Sequence, residues 1–166
     1  MKTILLSLLL QTPTCKQIQK LIQNGSKSWV NQNYERIKKL CPEAAIHIPQ
    51  GFPIRNLANS YFTSDIGLRY HPINKTMRHH NGIDIATSDT IIATASGIIE
   101  KVDYSPTLGK YIIIDHKNGF KTKYGHLHKV LVYKGMSVVL GSPIGISGST
   151  GLSTGRHVHY EVLKRG

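Results

Sequence analysis

The 166-residue chain is long enough for one domain and a small helical prefix. Its 21 Lys and Arg residues against 9 Asp and Glu residues give a formal net charge of +12 at pH 7, which indicates an anionic partner. Aromatic residues make up only 7% and no nucleic-acid-binding motif is present, so we expect that this partner is not nucleic acid.

The N-terminus has the pattern of a secretion signal. Met1 and Lys2 precede an apolar run over 3–10, which is much shorter than the ~20 residues that a membrane span requires. We therefore predict a signal peptide over 1–14 and no stable membrane span. Residues 11–14 are a poor cleavage site, so an apolar helix packed on the domain and lipidation of Cys15 remain as alternatives.

Two short helices are predicted in a prefix over 15–50. Apolar residues recur at helical spacing over 16–23 and end before Gly25; they recur again over 29–41 and stop at Pro42. In an antiparallel hairpin of these helices, Cys15 and Cys41 lie near the open end, where a disulfide can form. Two unrelated reduced thiols fit the sequence equally well.

The rest of the chain, 51–166, has the pattern of an all-β domain. Short runs rich in Ile, Val, Thr and Tyr cover 90–94, 98–102, 111–115 and 120–124, and Gly and Pro residues separate them. Asn118-Gly119 between two of these runs predicts a tight hairpin, because such a turn needs positive φ at both central residues. No segment with a helical period interrupts 83–162.

Two pairs of residues have the spacing of metal ligands. His80 and Asp84 would be about 13 Å apart on a straight strand, too far to share one ion, so we expect His80 in a loop that Gly82 folds back onto a strand carrying Asp84. His157 and His159 can face the same side of one strand, about 6.6 Å apart, and address one metal centre. A surface histidine pair, or a closed structural zinc site that uses both histidines, are the alternatives.

Further motifs accompany these pairs along roughly 100 residues, and the order of the motifs along the chain is part of the pattern. They are Thr63-Ser-Asp-Ile-Gly67-Leu-Arg69-Tyr-His71-Pro72, His80-Asn-Gly-Ile-Asp84, Ala95-Ser-Gly97, Gly109-Lys-Tyr, Tyr124-Gly-His126-Leu, Lys134-Gly-Met, Gly148-Ser-Thr-Gly151 and the final His157-Val-His159-Tyr-Glu161. In this combination the chain resembles the lysostaphin-type (LytM-like) zinc metallopeptidases, which cut cell-wall peptides.

The resemblance implies a fold, a cofactor and an activity. The expected fold is an all-β catalytic domain, an antiparallel β-sandwich or barrel-like structure, behind a short N-terminal helical segment. The expected cofactor is Zn²⁺, held by His80, Asp84 and His159, with His126 and His157 beside the bound water. The expected activity is hydrolysis of peptide cross-links or stem peptides of peptidoglycan. The alternative is a non-catalytic cell-wall-binding or hydrolase-activating module that retains zinc.

The residue types agree with this chemistry. Three protein ligands leave the fourth zinc position open, which is typical of a catalytic site. No His-Glu-x-x-His motif is present, so His157 is the best general base or proton shuttle, and His126 is expected to hold the water or the developing oxyanion. Glu161 is expected either to orient an imidazole or to face solvent. Arg69 fits either a position beside the site or a surface ion pair.

The remaining expectations concern location and partners. The signal and the positive charge favour a secreted or periplasmic protein that meets the anionic cell envelope and cuts peptidoglycan peptides, and we expect a monomer. The helical prefix is a candidate for covering the groove that contains the active site, although no residue of the prefix predicts such a contact. Spacing assigns no role to the other histidines, which are His47, His71, His79, His116 and His128.

Overall fold

The computed structural model of the protein describes residues 13–70, 73 and 75–164. Most of the predicted signal peptide, residues 1–12, lies outside the described residues. Within the described ranges, no helix combines the length and the apolar character that crossing a membrane requires.

The domain that follows the prefix consists of antiparallel strands. In chain order they are β1 (Tyr61–Ser64), β2 (Gly67–Tyr70), β3 (Met77–His80), β4 (Ile83–Ala86), β5 (Thr90–Ile92), β6 (Gly97–Ser105), β7 (Gly109–Asp115), β8 (Phe120–Leu127), β9 (Lys129–Val130), β10 (Ser137–Val138), β11 (Pro143–Ile146) and β12 (His157–Lys164). The large sheet has the order β1-β4-β12-β8-β7-β6-β10, a smaller sheet has the order β5-β11-β9, and β2 pairs with β3. The predicted all-β domain with a helical segment before it is confirmed, and its large sheet is open, not a closed barrel.

The hydrophobic core lies between the large sheet and the three-stranded sheet. Successive side chains of a strand point to opposite faces, and in β12 Val158 and Tyr160 enter this core. Ile91 and Ile144 of the smaller sheet are fully buried in the same cluster. The alternate residues of β12 therefore lie on its other face: His157, His159 and Glu161.

The predicted hairpin joins β7 to β8, but its turn is longer than two residues. The connection covers 116–119, and positive φ occurs at Lys117 (61°) and Gly119 (84°), not at Asn118. The side chain of Asn118 donates a hydrogen bond to the carbonyl oxygen of His47 (2.7 Å) and accepts one from the backbone N–H of Phe120 (3.1 Å). Asn118 therefore connects the hairpin to the prefix.

The prefix contains four short helices where the sequence predicted two. They are α1 (Cys15–Asn24), which begins at a Thr14–Gln17 capping box, α2 (Lys27–Gln32), α3 (Tyr34–Leu40) and α4 (Pro42–Ala45). The predicted helix over 29–41 is interrupted at Asn33, whose side-chain amide donates a hydrogen bond to the carbonyl oxygen of Trp29 (2.9 Å). Asparagine disfavours helix interiors because its side chain competes for backbone hydrogen bonds in this way.

The prefix packs against one end of the large sheet and forms a second core. Ile22 and Val30 are completely buried in this cluster, together with Phe120, the first residue of β8. The backbone N–H of Ser96 donates a hydrogen bond to the carbonyl oxygen of Ile46 (2.8 Å). Apolar burial and backbone hydrogen bonds thus join the prefix to the β domain.

Cys15 and Cys41 form a disulfide, with their Cα atoms 5.1 Å apart. Of the two alternatives that the sequence left open, the structure contains the bonded pair. The disulfide connects the first residue of α1 to the residue between α3 and α4, and Cys41 is completely buried.

Replacing both cysteines by alanine is expected to lower the free energy of unfolding by about 3 to 4 kcal/mol, because a cross-link between residues 26 positions apart restricts the unfolded chain. Urea denaturation followed by circular dichroism measures this change. Reductant should produce a similar decrease in the wild-type protein and should not affect the double variant. Equal unfolding midpoints for the oxidised wild type and the double variant would contradict the prediction.

Candidate metal centre and catalytic site

Three strands bring His80, Asp84 and His159 together. His80 is the last residue of β3, Asp84 lies in β4 and His159 lies in β12, directly opposite Asp84 in the strand register. All three side chains are buried. The expectation that His80 lies in a loop is wrong, because β3 continues to His80 and the chain turns only afterwards, at Asn81-Gly82.

The three donor atoms form a compact triangle. His80 Nε2 lies 3.1 Å from Asp84 Oδ1 and 2.9 Å from His159 Nδ1, and His159 Nδ1 lies 2.8 Å from Asp84 Oδ1. Ligands of tetrahedral zinc with bonds near 2.0 Å are about 3.3 Å apart, so a small outward movement of the side chains would admit the ion. Within the described residues this group and Cys15-Cys41-Glu43, whose cysteines are joined to each other, are the two clusters with metal-ligand geometry.

Hydrogen bonds on the outer side of each ring fix which nitrogen faces the centre. His80 Nδ1 lies 2.8 Å from the carbonyl oxygen of Asp65, and His159 Nε2 lies 3.0 Å from Glu161 Oε1. Both acceptors require an N–H donor, so His80 Nε2 and His159 Nδ1 are the nitrogens whose lone pairs face Asp84 in the neutral rings. Two imidazoles and one carboxylate at this spacing fit Zn²⁺.

The centre favours positive charge. Burial alone would lower the pKa of His159, but hydrogen bonds to Asp84 and Glu161 raise it above its usual value. Burial alone would raise the pKa of Asp84, but hydrogen bonds from His159 and His80 outweigh it and hold the pKa well below its usual range. A proton and a metal ion therefore compete for the same position between these side chains.

Glu161 acts on the centre through His159, and it does not face solvent. The residue is 5% exposed, and its carboxylate forms an ion pair with Lys123 Nζ (2.8 Å) in addition to its bond with His159. Burial alone would raise the pKa of Glu161, but the hydrogen bonds from His159 and Lys123 lower it to about 2. The ionised carboxylate thereby fixes the orientation and the tautomer of the His159 ring.

Arg69 also contacts the centre. Its Nη2 lies 3.1 Å from Asp84 Oδ2, the carboxylate oxygen that does not face the two histidines, and about a third of the Arg69 side chain is exposed. The ion pair holds Asp84 so that Oδ1 points to the centre. The arginine is thus paired, as one alternative expected, but its partner is the candidate ligand.

Gly82 is required by close packing behind the centre. A Cβ atom at this position would collide with the carbonyl oxygen of Tyr160 and would lie 2.9 Å from Glu161 Cγ and 3.0 Å from His159 Cε1. Gly82 does not have positive φ, so the reason for glycine here is the approach of two strands and not an unusual backbone conformation.

His126 and His157 lie side by side next to the triangle. Their ring centroids are 4.5 Å apart, and His157 Nε2 lies 3.7 Å from Asp84 Oδ1. Each Nδ1–H donates to a backbone carbonyl oxygen, of Thr150 for His126 (2.8 Å) and of Gly155 for His157 (2.8 Å). In the neutral rings both Nε2 atoms are therefore proton acceptors. Burial lowers the pKa of His126 to about 4, which keeps this ring neutral at neutral pH.

A β-bulge directs His126 to the site. Tyr124 pairs with Ile112 while Leu127 pairs with Lys110, so β8 has one more residue than β7 in this interval. His126 adopts a left-handed conformation (φ 60°) there, which is rare for residues other than glycine. Because of the extra residue, both Tyr124 and Leu127 enter the core while His126 points to the opposite face.

Thr150 was not predicted from the sequence, and it fixes the loop that holds His126. Its hydroxyl accepts a hydrogen bond from the Lys110 backbone N–H (3.0 Å) and donates one to the carbonyl oxygen of Leu127 (3.0 Å). Gly109, with φ 60°, packs so closely that a Cβ atom would collide with Thr150. The Gly148-Ser-Thr-Gly151 motif was the available signal for this contact.

The three candidate metal ligands, together with His126 and His157, line one cleft. Its rim includes Arg69, Arg78 and His79 from the β2–β3 hairpin and Ser153 and Thr154 from the loop before β12. No residue of the prefix, 15–50, lines this cleft, since those helices pack at Phe120. The described prefix therefore does not cover the site.

Changing Gly82 to alanine is expected to displace His159 and to reduce zinc retention, since the new methyl group collides with the backbone behind that ring. Metal content after gel filtration, measured by mass spectrometry, tests this. The matched control is Gly155→Ala, because a Cβ atom there meets nothing within 4 Å and the residue has no positive φ. Equal zinc content in the two variants would overturn the packing argument.

Changing Glu161 to glutamine is expected to weaken zinc binding about 10- to 100-fold, because the neutral amide supports the His159 tautomer less well. Competition with a chromophoric chelator measures the affinity. Glu100→Gln is the control, since Glu100 pairs with Lys121 (2.6 Å) on the surface and lies outside the cleft. A wild-type affinity in Glu161→Gln would show that this carboxylate does not support the metal centre.

Comparison with known proteins is consistent with this geometry. The chain matches the sequence model of Peptidase family M23 over residues 78–166. Peptidoglycan DD-endopeptidase ShyA of Vibrio cholerae is 41% identical over 100 residues, which are 59% of this chain and 23% of ShyA. The chain thus spans about a quarter of the length of ShyA and of a second curated relative, the peptidoglycan DD-endopeptidase ShyB of the same organism.

Solved structures give the same result. A zinc-containing peptidase from Vibrio cholerae superposes with a TM-score of 0.61 and 39% identity over 69% of this chain and 36% of that one. The catalytic domain of lysostaphin from Staphylococcus simulans superposes with a TM-score of 0.59 and 31% identity over 66% of this chain and 84% of that one. The predicted resemblance is confirmed, and the chain belongs to Peptidase family M23.

Proposed function

We propose that this chain is a zinc-dependent endopeptidase that hydrolyses peptide cross-links or stem peptides of bacterial peptidoglycan. The observation that carries the proposal is the triangle of His80, Asp84 and His159 with two further proton-accepting histidines beside it. The ShyA relative is a peptidoglycan DD-endopeptidase by name, which supports the same substrate class.

The residues of the site have separate tasks in this proposal. When bound by His80, Asp84 and His159, Zn²⁺ supplies a Lewis acid and lowers the pKa of water toward about 7. His157 Nε2 lies 3.7 Å from Asp84 Oδ1 and takes a proton from the attacking water, then returns it to the departing amine. Arg69 and Glu161 hold Asp84 and His159 in place throughout.

His126 has one of the two tasks that the sequence suggested. With Nδ1–H bonded to the carbonyl oxygen of Thr150 and with a pKa lowered to about 4 by burial, the ring is neutral and its Nε2 accepts hydrogen bonds. Such a ring can orient the attacking water, but it has no proton to donate to an oxyanion on that side. We therefore assign His126 to holding the water.

We also propose a location and a division of the chain. We place a secretion signal over 1–14, a helical prefix over 15–50 and the peptidase domain over 51–166. Peptidoglycan lies outside the cytoplasmic membrane, so the protein acts as a secreted, periplasmic or envelope-associated enzyme. Its net charge of +12 supports attraction to the anionic envelope. The proposal includes a monomeric state.

Changing either His126 or His157 to alanine is expected to lower kcat/KM for peptidoglycan peptides at least 100-fold, since each change removes a proton acceptor beside the metal. Zinc content should stay at the wild-type level, because neither residue belongs to the triangle. His128→Ala is the control, since His128 is exposed and outside the cleft. Cleavage that survives both changes would contradict the mechanism.

The activity itself is tested with isolated peptidoglycan. Zinc-loaded protein should release fragments whose cross-links are cut, and a chelator should abolish the release. Mass spectrometry of the fragments identifies the bond. Intact peptidoglycan after incubation with the zinc-loaded protein would argue against the proposed function.

A further inference from the structure

Among the described residues that line the cleft, the acidic and basic side chains are paired with each other except at one arginine. Its two acidic side chains, Asp84 and Glu161, are each paired, Asp84 with Arg69 (3.1 Å) and Glu161 with Lys123 (2.8 Å). Arg78 also lines the cleft and is exposed, and none of the described residues forms an ion pair or hydrogen bond with its side chain. The cleft therefore contains an arginine whose charge no neighbouring acid balances.

The strand register places Arg78 close to the candidate metal centre. Arg78 and His80 are two residues apart on β3, so they share one face of the hairpin about 6.6 Å apart. Arg78 pairs directly with Arg69 across the hairpin. Two like charges in directly opposite positions repel each other, and an anion that contacts Arg78 would relieve this repulsion.

We propose that Arg78 binds a free carboxylate of the substrate peptide, about two residues from the bond that is cut. The assignment rests on the proposed function. A guanidinium binds a carboxylate through two parallel hydrogen bonds, and Arg78 has all of its donors available among the described residues. We place the extended peptide alongside β3. Such a peptide advances about 3.3 Å per residue, and Arg78 lies about 6.6 Å along β3 from His80, so the carboxylate is about two residues from the bond that is cut.

In this role, Arg78 selects among peptides by their charge. A substrate with a free carboxylate at that position gains an ion pair in a partly enclosed cleft that also contains Arg69 and the metal position. The same peptide with the carboxylate converted to an amide keeps its shape but loses the charge. Arg78 thus acts as a specificity-determining residue for acidic peptides.

The test uses two synthetic stem-peptide fragments that differ only in this group, a free carboxylate in one and a primary amide in the other. Dissociation constants are measured by calorimetry with the zinc-loaded full chain carrying His157→Ala, so that the peptides are not consumed. The same measurement is made with Arg78→Gln, Arg78→Lys and Arg55→Gln added. Arg55 is the matched control, because it is exposed, lies outside the cleft and donates to the carbonyl oxygen of Gly141 (3.3 Å).

With Arg78 intact, the free acid should bind at least tenfold more tightly than the amide. Arg78→Gln should bring the two dissociation constants within twofold of each other, Arg78→Lys should retain part of the difference, and Arg55→Gln should retain all of it. Thermal unfolding of Arg78→Gln should occur at or above the original temperature, because a repulsive pair is removed. Equal binding of the two peptides with Arg78 intact, or an unchanged preference in Arg78→Gln, would overturn the assignment.

Cleavage is measured separately with the wild-type protein, so the two proposals can fail independently. If neither peptide is cut although zinc is bound, the proposed endopeptidase activity fails. The ratio of dissociation constants still decides whether Arg78 recognises the carboxylate. If both peptides are cut at equal kcat/KM and bind equally, the activity stands and the role of Arg78 is refuted.

Discussion

The pairing of β4 with β12 is the constraint on which the site depends. It places Asp84 directly opposite His159, on the face of the sheet away from the core. Ile85 and Val158, which alternate with them, are completely buried in the core. A shift of the register by one residue would move both groups to the wrong faces, so the burial of the apolar residues also fixes the positions of the polar ones.

Around this pair, each candidate ligand is held by a second contact. His80 donates to the carbonyl oxygen of Asp65, Asp84 accepts from Arg69, and His159 donates to Glu161. These contacts leave the inner nitrogen and oxygen atoms without donors of their own, which is why the centre attracts either a proton or a metal ion. The ionisation of the site therefore depends as much on the surrounding residues as on the ligands.

A different structural feature positions His126, one of the two histidines beside the triangle. A bulge in β8 changes the alternation of side chains, so that His126 points to the site although Tyr124, two residues earlier, is in the core. Thr150 then holds the ring from the loop that follows β11. The helical prefix takes no part in this arrangement, because it packs at the opposite end of β8, where Phe120 belongs to its core.

By itself, the sequence determined the all-β domain and the helical prefix, because alternating apolar runs are local patterns. Spacing alone gave two candidate pairs, and the resemblance to a known family selected His80, Asp84 and His159 as the candidate ligands. Only the tertiary structure decided that Glu161 contacts His159, that Arg69 contacts Asp84 and that Cys15 is bonded to Cys41. The break in the prefix at Asn33 and the position of His80 at the end of a strand were also missed. These features depend on contacts between segments distant in the chain, or on a single side chain that outweighs the local preference, and local patterns contain neither kind of information.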